Sequence, residues 1–271
     1  MRLGKAICLS RVNPQHIRRI GRTFTPTHPM DILEEGNLST EDALRHWYYR
    51  AKFGLLEKHL KLAKVTSAGE IADVGCGLGL FLRMLRRAGR PARSLTGVDI
   101  GFSETRTDPV DGFTIHPSWP EGTGYDAILM MDVLEHCPDD LSVLREATGH
   151  LKPGGTMFIT VPAFRALWSA HDVFLKHCRR YNRRELGELI AREPRLKIES
   201  LHYFYGLLFP IAALQRWLHR KVTDPKSSEM KKLPAPLNAV LLLCCRIESV
   251  LMRLNCIAGL TVVARCRREK N

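Results

Sequence analysis

The stretch IADVGCGLGLF, Ile71–Phe81, constrains the fold more than any other part of the chain. An apolar run leads into Gly75, Gly77 and Gly79, and an apolar helical pattern follows. A strand that ends in glycines and feeds a helix lets a ligand approach the backbone closely. The helix start then offers unpaired N–H groups to that ligand. The spacing is selective. A dinucleotide fingerprint reads G-x-G-x-x-G, but Leu80 stands in the place of its third glycine. The phosphate-loop pattern, G-x-x-x-x-G-K followed by Ser or Thr, does not occur. Asp99 ends the next strand, about where an acid that binds ribose hydroxyls is expected. Asp73 adds a carboxylate just before the turn.

Strands and helices alternate on either side. EIADVG, SLTGVDI, a weak DGFTIHP, YDAILMMD and TMFITVP read as strands, with LFLRMLRRAG and PDDLSVLREATGHLKPGG as helices between them. Continuous apolar strands between amphipathic helices indicate a parallel sheet covered on both faces. Upstream, Ser39 and Thr40 are candidate N-caps for one helix running through STEDALRHWYYRAKFGLLEKHLKLAK, acidic at its start and basic at its end. Downstream, RRELGELIAR reads as a helix, LKIESLHYF as a strand and GLTVVAR as a late strand.

Four of these segments, DVGCGLG, GVDI, YDAILMMDVLEH and LKPGGTMFITVP, resemble in order the motifs of class I S-adenosylmethionine (SAM)-dependent methyltransferases. DVLEH is similar to its counterpart in ubiquinone-type and other small-molecule O-methyltransferases. RHWYYRAK and LWSAHDVFLKHCRRYNRREL look like a bacterial subgroup of these enzymes. The resemblance implies a Rossmann-like, doubly wound α/β fold. Its sheet would have seven mostly parallel strands, a late antiparallel strand and a helical insertion over about 206–257. A basic arm, 1–38, would precede a methyltransferase domain, 39–271. It also implies SAM as the cofactor. Asp73 and the backbone of Gly75, Cys76 and Gly77 would hold its amino-acid end, Asp99 its ribose, and Ile100 its adenine. Asp132 and Val133 would close the site, and Trp47 and Arg50 would cap it.

A hydroxyl acceptor must lose a proton, which suits histidine. His136, His171 and His177 are the candidates for that base, all near the carboxyl edge of the sheet. Arg179, Arg180 and Tyr181 lie in CRRYNRRE, where arginines could clamp an anionic acceptor. A zinc site from His171, Asp172 and His177 matches no strong ligand spacing, so no metal is expected.

The chain carries a formal net charge of +13, which favours anionic partners: nucleic acid, an acidic membrane surface or an anionic substrate. Nucleic acid is disfavoured, because DVLE stands where base N-methyltransferases carry Asn/Asp-Pro-Pro-Tyr/Phe. The eight cysteines form no C-x-x-C pair and read as reduced thiols of a cytoplasmic protein. The first acid is Asp31, after six Arg and Lys residues. Pro14 interrupts any long helix there, which suits a basic arm better than a transit peptide.

YFYGLLFPIAALQRWLHRK and LNAVLLLCCRIESVLMRL are dense in apolar residues but short of the roughly 20 that span a bilayer. They fit a helical cap on the core, a homodimer face, or an interfacial segment with Trp217, His219, Arg220 and Lys221 at head-group level. Lys226, Lys231 and Lys232 would add attraction to anionic lipid. The expected function is methylation, at oxygen, of a small-molecule or lipid-linked acceptor. Two alternatives stay open: a SAM-binding partner without turnover, and an RNA methyltransferase.

Overall fold

The structure, a computed structural model, describes residues 38–65, 69–89, 94–218, 232–251 and 255–270. The expectations for residues 1–37 and for His219, Arg220, Lys221, Lys226 and Lys231 lie outside these, as does the side chain of Trp217.

In chain order the elements are α1 (Thr40–Arg45), α2 (Trp47–Leu62), β1 (Glu70–Val74), α3 (Leu80–Arg87), β2 (Ser94–Val98), β3 (Arg106–Thr107), β4 (Thr114–His116), β5 (Tyr125–Met131), α4 (Asp140–His150), β6 (Leu151–Pro162), α5 (Ala170–Phe174), α6 (Arg183–Ala191), β7 (Leu196–Phe204), α7 (Phe209–Leu218), α8 (Ala235–Leu251) and β8 (Thr261–Arg268). The strands form one sheet in the order β3-β4-β2-β1-β5-β6-β8-β7. From β4 to β6 the pairings are parallel, and β8 lies antiparallel between β6 and β7. The sheet has one strand more than expected from sequence. The extra strand is β3, two residues paired antiparallel to β4 at the edge, too short to leave an apolar signature.

The sheet has a core on each face. Ile71, Leu129, Phe158 and Val263 pack with Leu55, Leu56 and Leu60 of α2 and Leu82 and Leu85 of α3. Ala72, Ile128, Met130 and Ile159 pack on the other side with Leu141 and Leu144 of α4 and Leu186 and Ile190 of α6. Alternate residues of one strand thus serve opposite cores, as a two-sided sheet requires. The chain passes from β1 to β2 on one side and later returns to β5 on the other. That leaves a topological switch point between β1 and β5, where α/β sheets bind ligands at their carboxyl ends.

Two boundaries differ from the sequence reading. The first helix is broken at His46, whose backbone is extended. The side-chain amide of Asn238, on α8, enters the gap: it accepts from Trp47 N at 2.8 Å and donates to Arg45 O at 3.1 Å. A partner 191 residues away in sequence satisfies the groups that an unbroken helix would have satisfied itself. The second difference is β6, which begins at Leu151 and includes Pro153 and both glycines.

Candidate functional site

The glycine turn sits at the switch point. Gly75 has φ +65° and Gly79 has φ +77°, in the left-handed region that favours glycine. A Cβ at Gly79 would lie 2.5 Å from the ring of Phe113, and one at Gly75 would lie 2.9 Å from Val133. Both glycines are therefore required by conformation and by close packing. Asp99 closes the turn from β2. Its Oδ2 accepts from Gly77 N at 2.8 Å and its Oδ1 from Gly101 N at 2.8 Å.

Asp73 lies beneath the turn, 1% exposed, and its Oδ2 has no hydrogen-bond partner. Burial, with the charge of Asp99 second, pushes its carboxyl well above the usual range. A cationic, donor-bearing group would satisfy that oxygen and reverse the shift. The amino group of SAM has that chemistry, so these residues fit the cofactor. Asp73 would face its ammonium, and Asp99 and the Gly75–Gly77 backbone would flank it. Val133 is buried, Ile100 is exposed at the rim, Trp47 is half-buried against Tyr205, and Arg50 is exposed on α2.

Asp132, just past β5, has φ +58°. For a non-glycine residue this strain is worth about 1–3 kcal/mol and persists only where the surroundings over-determine it. They do so here. Thr160 donates to Oδ1 at 2.9 Å, Tyr48 donates to Oδ2 at 3.3 Å, and the ammonium of Lys52 forms an ion pair with Oδ2. Lys52 also donates to Tyr48 Oη at 2.8 Å, and Tyr48 stacks on Tyr205. Sequence reasoning missed Tyr48, Lys52, Thr160 and Tyr205. A signal for one of them exists: Lys52 lies in helical register with the apolar positions Leu55, Leu56 and Leu60. A lysine on that face must find a buried partner.

The second cluster follows β5 and β6. Asp172 is fully buried. It accepts from Ser169 N at 2.8 Å, from Arg180 Nε at 2.6 Å and Nη2 at 3.0 Å, and contacts His177 Nδ1 at 2.8 Å. Burial alone would raise its carboxyl, but bonds from His177 and Arg180 hold it well below the usual range. An ionised Asp172 can only accept, so His177 Nδ1 carries a proton in this contact. The ring of His136 meets that of His177 edge-on, centroids 4.6 Å apart. Polar atoms of Glu135, His136 and His177 lie within 4.8 Å of one another. Glu135 is fully buried, and sequence reasoning missed it although it stands inside DVLEH. His171 is half-buried on α5 and outside that trio.

The three residues expected to bind acceptor have other partners. Arg180 is 6% exposed, paired to Asp172 and donating to Ala163 O at 3.0 Å. Tyr181 is buried and donates to Asp140 at 2.8 Å. Burial and that carboxylate raise the Tyr181 phenol far above its ordinary value. With these partners the guanidinium and the phenol brace the scaffold. Arg179 also pairs with Asp140, at 2.7 Å, but stays partly exposed. The seven described cysteines are free thiols, and burial pushes Cys266 up to about 12.

A mostly parallel sheet with an antiparallel strand β8, a glycine turn at the switch point, and acids near the end of β1 and just after β2 and β5 define a methyltransferase-type α/β protein. Residues 39–193 match the methyltransferase domain family, and the chain belongs to that family. A relative is the ubiquinone biosynthesis O-methyltransferase of Escherichia coli (strain SMS-3-5 / SECEC), 31% identical over 157 residues, 48% of this chain and 64% of that one. The match thus spans just under two thirds of that relative. Among solved structures, a chain of the Haloferax volcanii Trm112 methyltransferase activator complex superposes with a TM-score of 0.54 at 17% identity, over 90% of this chain and 97% of that one. The cyclase SpnF superposes with a TM-score of 0.51 at 16% identity, over 82% and 83%. These likenesses show the fold; a cyclase among them illustrates that one fold hosts several chemistries.

Proposed function

We propose that this chain is a SAM-dependent methyltransferase that acts on an oxygen of a small-molecule or lipid-linked acceptor, with His177 as the base. The observation that carries this reading is the Asp172–His177 pair in the segment that follows the carboxyl end of β6. SAM, when bound, supplies the activated methyl group. The protein's part is alignment and the proton. The acceptor O–H would give its proton to His177 Nε2, and the chain would hold the acceptor oxygen in line with the activated methyl group. Asp172 stabilises the imidazolium that results. The relative named for ubiquinone biosynthesis supports an oxygen acceptor. The experiment is labelled SAM with phenolic and lipid-extract acceptors, on wild type and His177→Gln. Methylation that falls at least about 100-fold in the variant, with SAM binding intact, supports the base. Equal rates would sink it.

The clustering of Glu135, His136 and His177 favours a second reading, in which a divalent cation orients the acceptor oxygen. Activity that survives exhaustive chelation decides for the base; activity lost to chelator and restored by metal decides for the cation.

A lipid-linked acceptor is supported by the insertion. Ile211, Leu214 and Leu218 of α7, and Val240, Leu243, Ile247 and Val250 of α8, are each more than half exposed at helical spacing. Each helix thus presents an exposed apolar face of the kind that marks an interaction site. No helix among the described residues is long and apolar enough to cross a membrane. The reading is peripheral attachment at the cytoplasmic side. Phosphatidylglycerol vesicles should sediment the wild type and not Ile211→Glu/Ile247→Glu. A concentration-dependent dimer that the same variant dissociates, without vesicle binding, would assign the face to a second copy instead.

The same assignment predicts a proton linkage. Asp73 must ionise to meet the SAM ammonium, and in the free protein its folded pKa is raised above the unfolded value. SAM binding therefore releases a proton between the lowered and raised values, and affinity climbs with pH through that window. Calorimetry in two buffers of different ionisation enthalpy should show that release in wild type and none in Asp73→Asn.

A further inference from the structure

At the amino-terminal edge of the sheet, opposite the glycine turn, β7 and β8 border a groove of about 490 Å³. Its location follows from register, since Arg267 of β8 stands opposite Thr156 near the start of β6, whereas Thr261 stands opposite Pro162 at its end. Five cations line it, Lys197, Arg265, Arg267, Arg268 and Lys270, against two acids, Glu199 and Glu269. Lys197 is directly opposite Arg267 in the ladder. Like charges in that position repel and need a counter-charge.

Glu199 is the only carboxylate inside the array with a described ion pair, and it serves two guanidiniums: Arg265 Nε at 2.9 Å and Arg267 Nε at 2.5 Å. Arg267 is further held by Gly154 O at 2.9 Å, and Arg268 by Thr148 O at 2.9 Å. These two cations are fixed in place before any ligand arrives. Arg265 is 5% exposed, lines the groove, and its Nη1 has no hydrogen-bond partner. A buried donor of that kind is costly to leave unmade, and planar guanidinium donors match phosphate oxygens. Lys197 and Lys270 stand exposed at the rim.

We propose that this groove binds a phosphate group, separately from the cofactor site, with Arg265 at its floor and Lys197 and Lys270 at its rim. The phosphate belongs either to a soluble phospho-compound or to a lipid headgroup. Titration of the full chain with pyrophosphate should show saturable binding. Lys197→Glu/Lys270→Glu should weaken it at least tenfold and leave SAM affinity unchanged. Arg265→Met/Glu199→Gln, which removes the buried guanidinium together with its half-buried partner, should do the same, with its fold checked by circular dichroism.

Phosphatidylglycerol vesicles distinguish the sources. If the lysine variant loses vesicle binding along with pyrophosphate, the ligand is a lipid headgroup. If it loses pyrophosphate alone, the ligand is soluble. Absence of pyrophosphate binding, or binding that both variants leave unchanged, overturns the proposal.

Discussion

Asp99→Ala is expected to reduce SAM affinity by about 30- to 1,000-fold while the protein stays folded. The carboxylate receives two backbone N–H bonds, from Gly77 and Gly101. Each bond to a charged group is worth about 1.5–3 kcal/mol, and the variant loses both the shape of the turn and the acceptor for a ribose. Asp99→Asn keeps one acceptor oxygen and should fall between the two. Calorimetric titration with SAM and S-adenosylhomocysteine measures the effect. A folded Asp99→Ala that binds SAM as the wild type does would remove Asp99 from the cofactor site.

Asp172→Ala is expected to destabilise the protein by about 3–5 kcal/mol, because it strands the buried guanidinium of Arg180. Urea unfolding reads this directly. The pH dependence has a definite sign. The folded-state pKa of Asp172 is depressed, so its contribution is complete above the unfolded value of about 4. It is lost as pH falls from there toward the depressed folded value. Acid unfolding should therefore shift to higher pH in a variant that retains the fold, such as Asp172→Asn. Asp172→Asn should also slow methyl transfer by more than it weakens SAM binding, since His177 Nδ1 loses its anionic partner. Equal slopes of stability against pH in wild type and Asp172→Asn would show that the carboxylate is not the group being titrated.

The succession of strands and the glycine turn with Asp73 and Asp99 were legible in the chain because they rest on local rules, and Asp132 was legible through the family resemblance. Apolar runs bounded by turns make strands, and glycine alone tolerates the left-handed turn at Gly75 and Gly79. The histidines were visible as residues, with His177 placed first, but the partner that orients its ring was not. The structure adds the contact between His177 and Asp172. Arg180 shows the opposite failure. In CRRYNRRE it looks like four equivalent arginines, yet the fold buries this one on Asp172 and leaves Arg184 on the surface with Glu188.

What the sequence by itself determined is the scaffold: a βα unit with a glycine turn, repeated alternation, and a late strand. These depend on periodicity and backbone sterics, which neighbours in the chain already decide. What only the tertiary structure decided is partnership. Asn238 breaks a helix 191 residues away, Lys52 finds Asp132, and Asp172 gathers His177 and Arg180. Burial of polar groups is what decides these pairings. A buried ion or donor must be met by whichever group the fold brings within hydrogen-bond distance, and no local pattern of residues states which group that is.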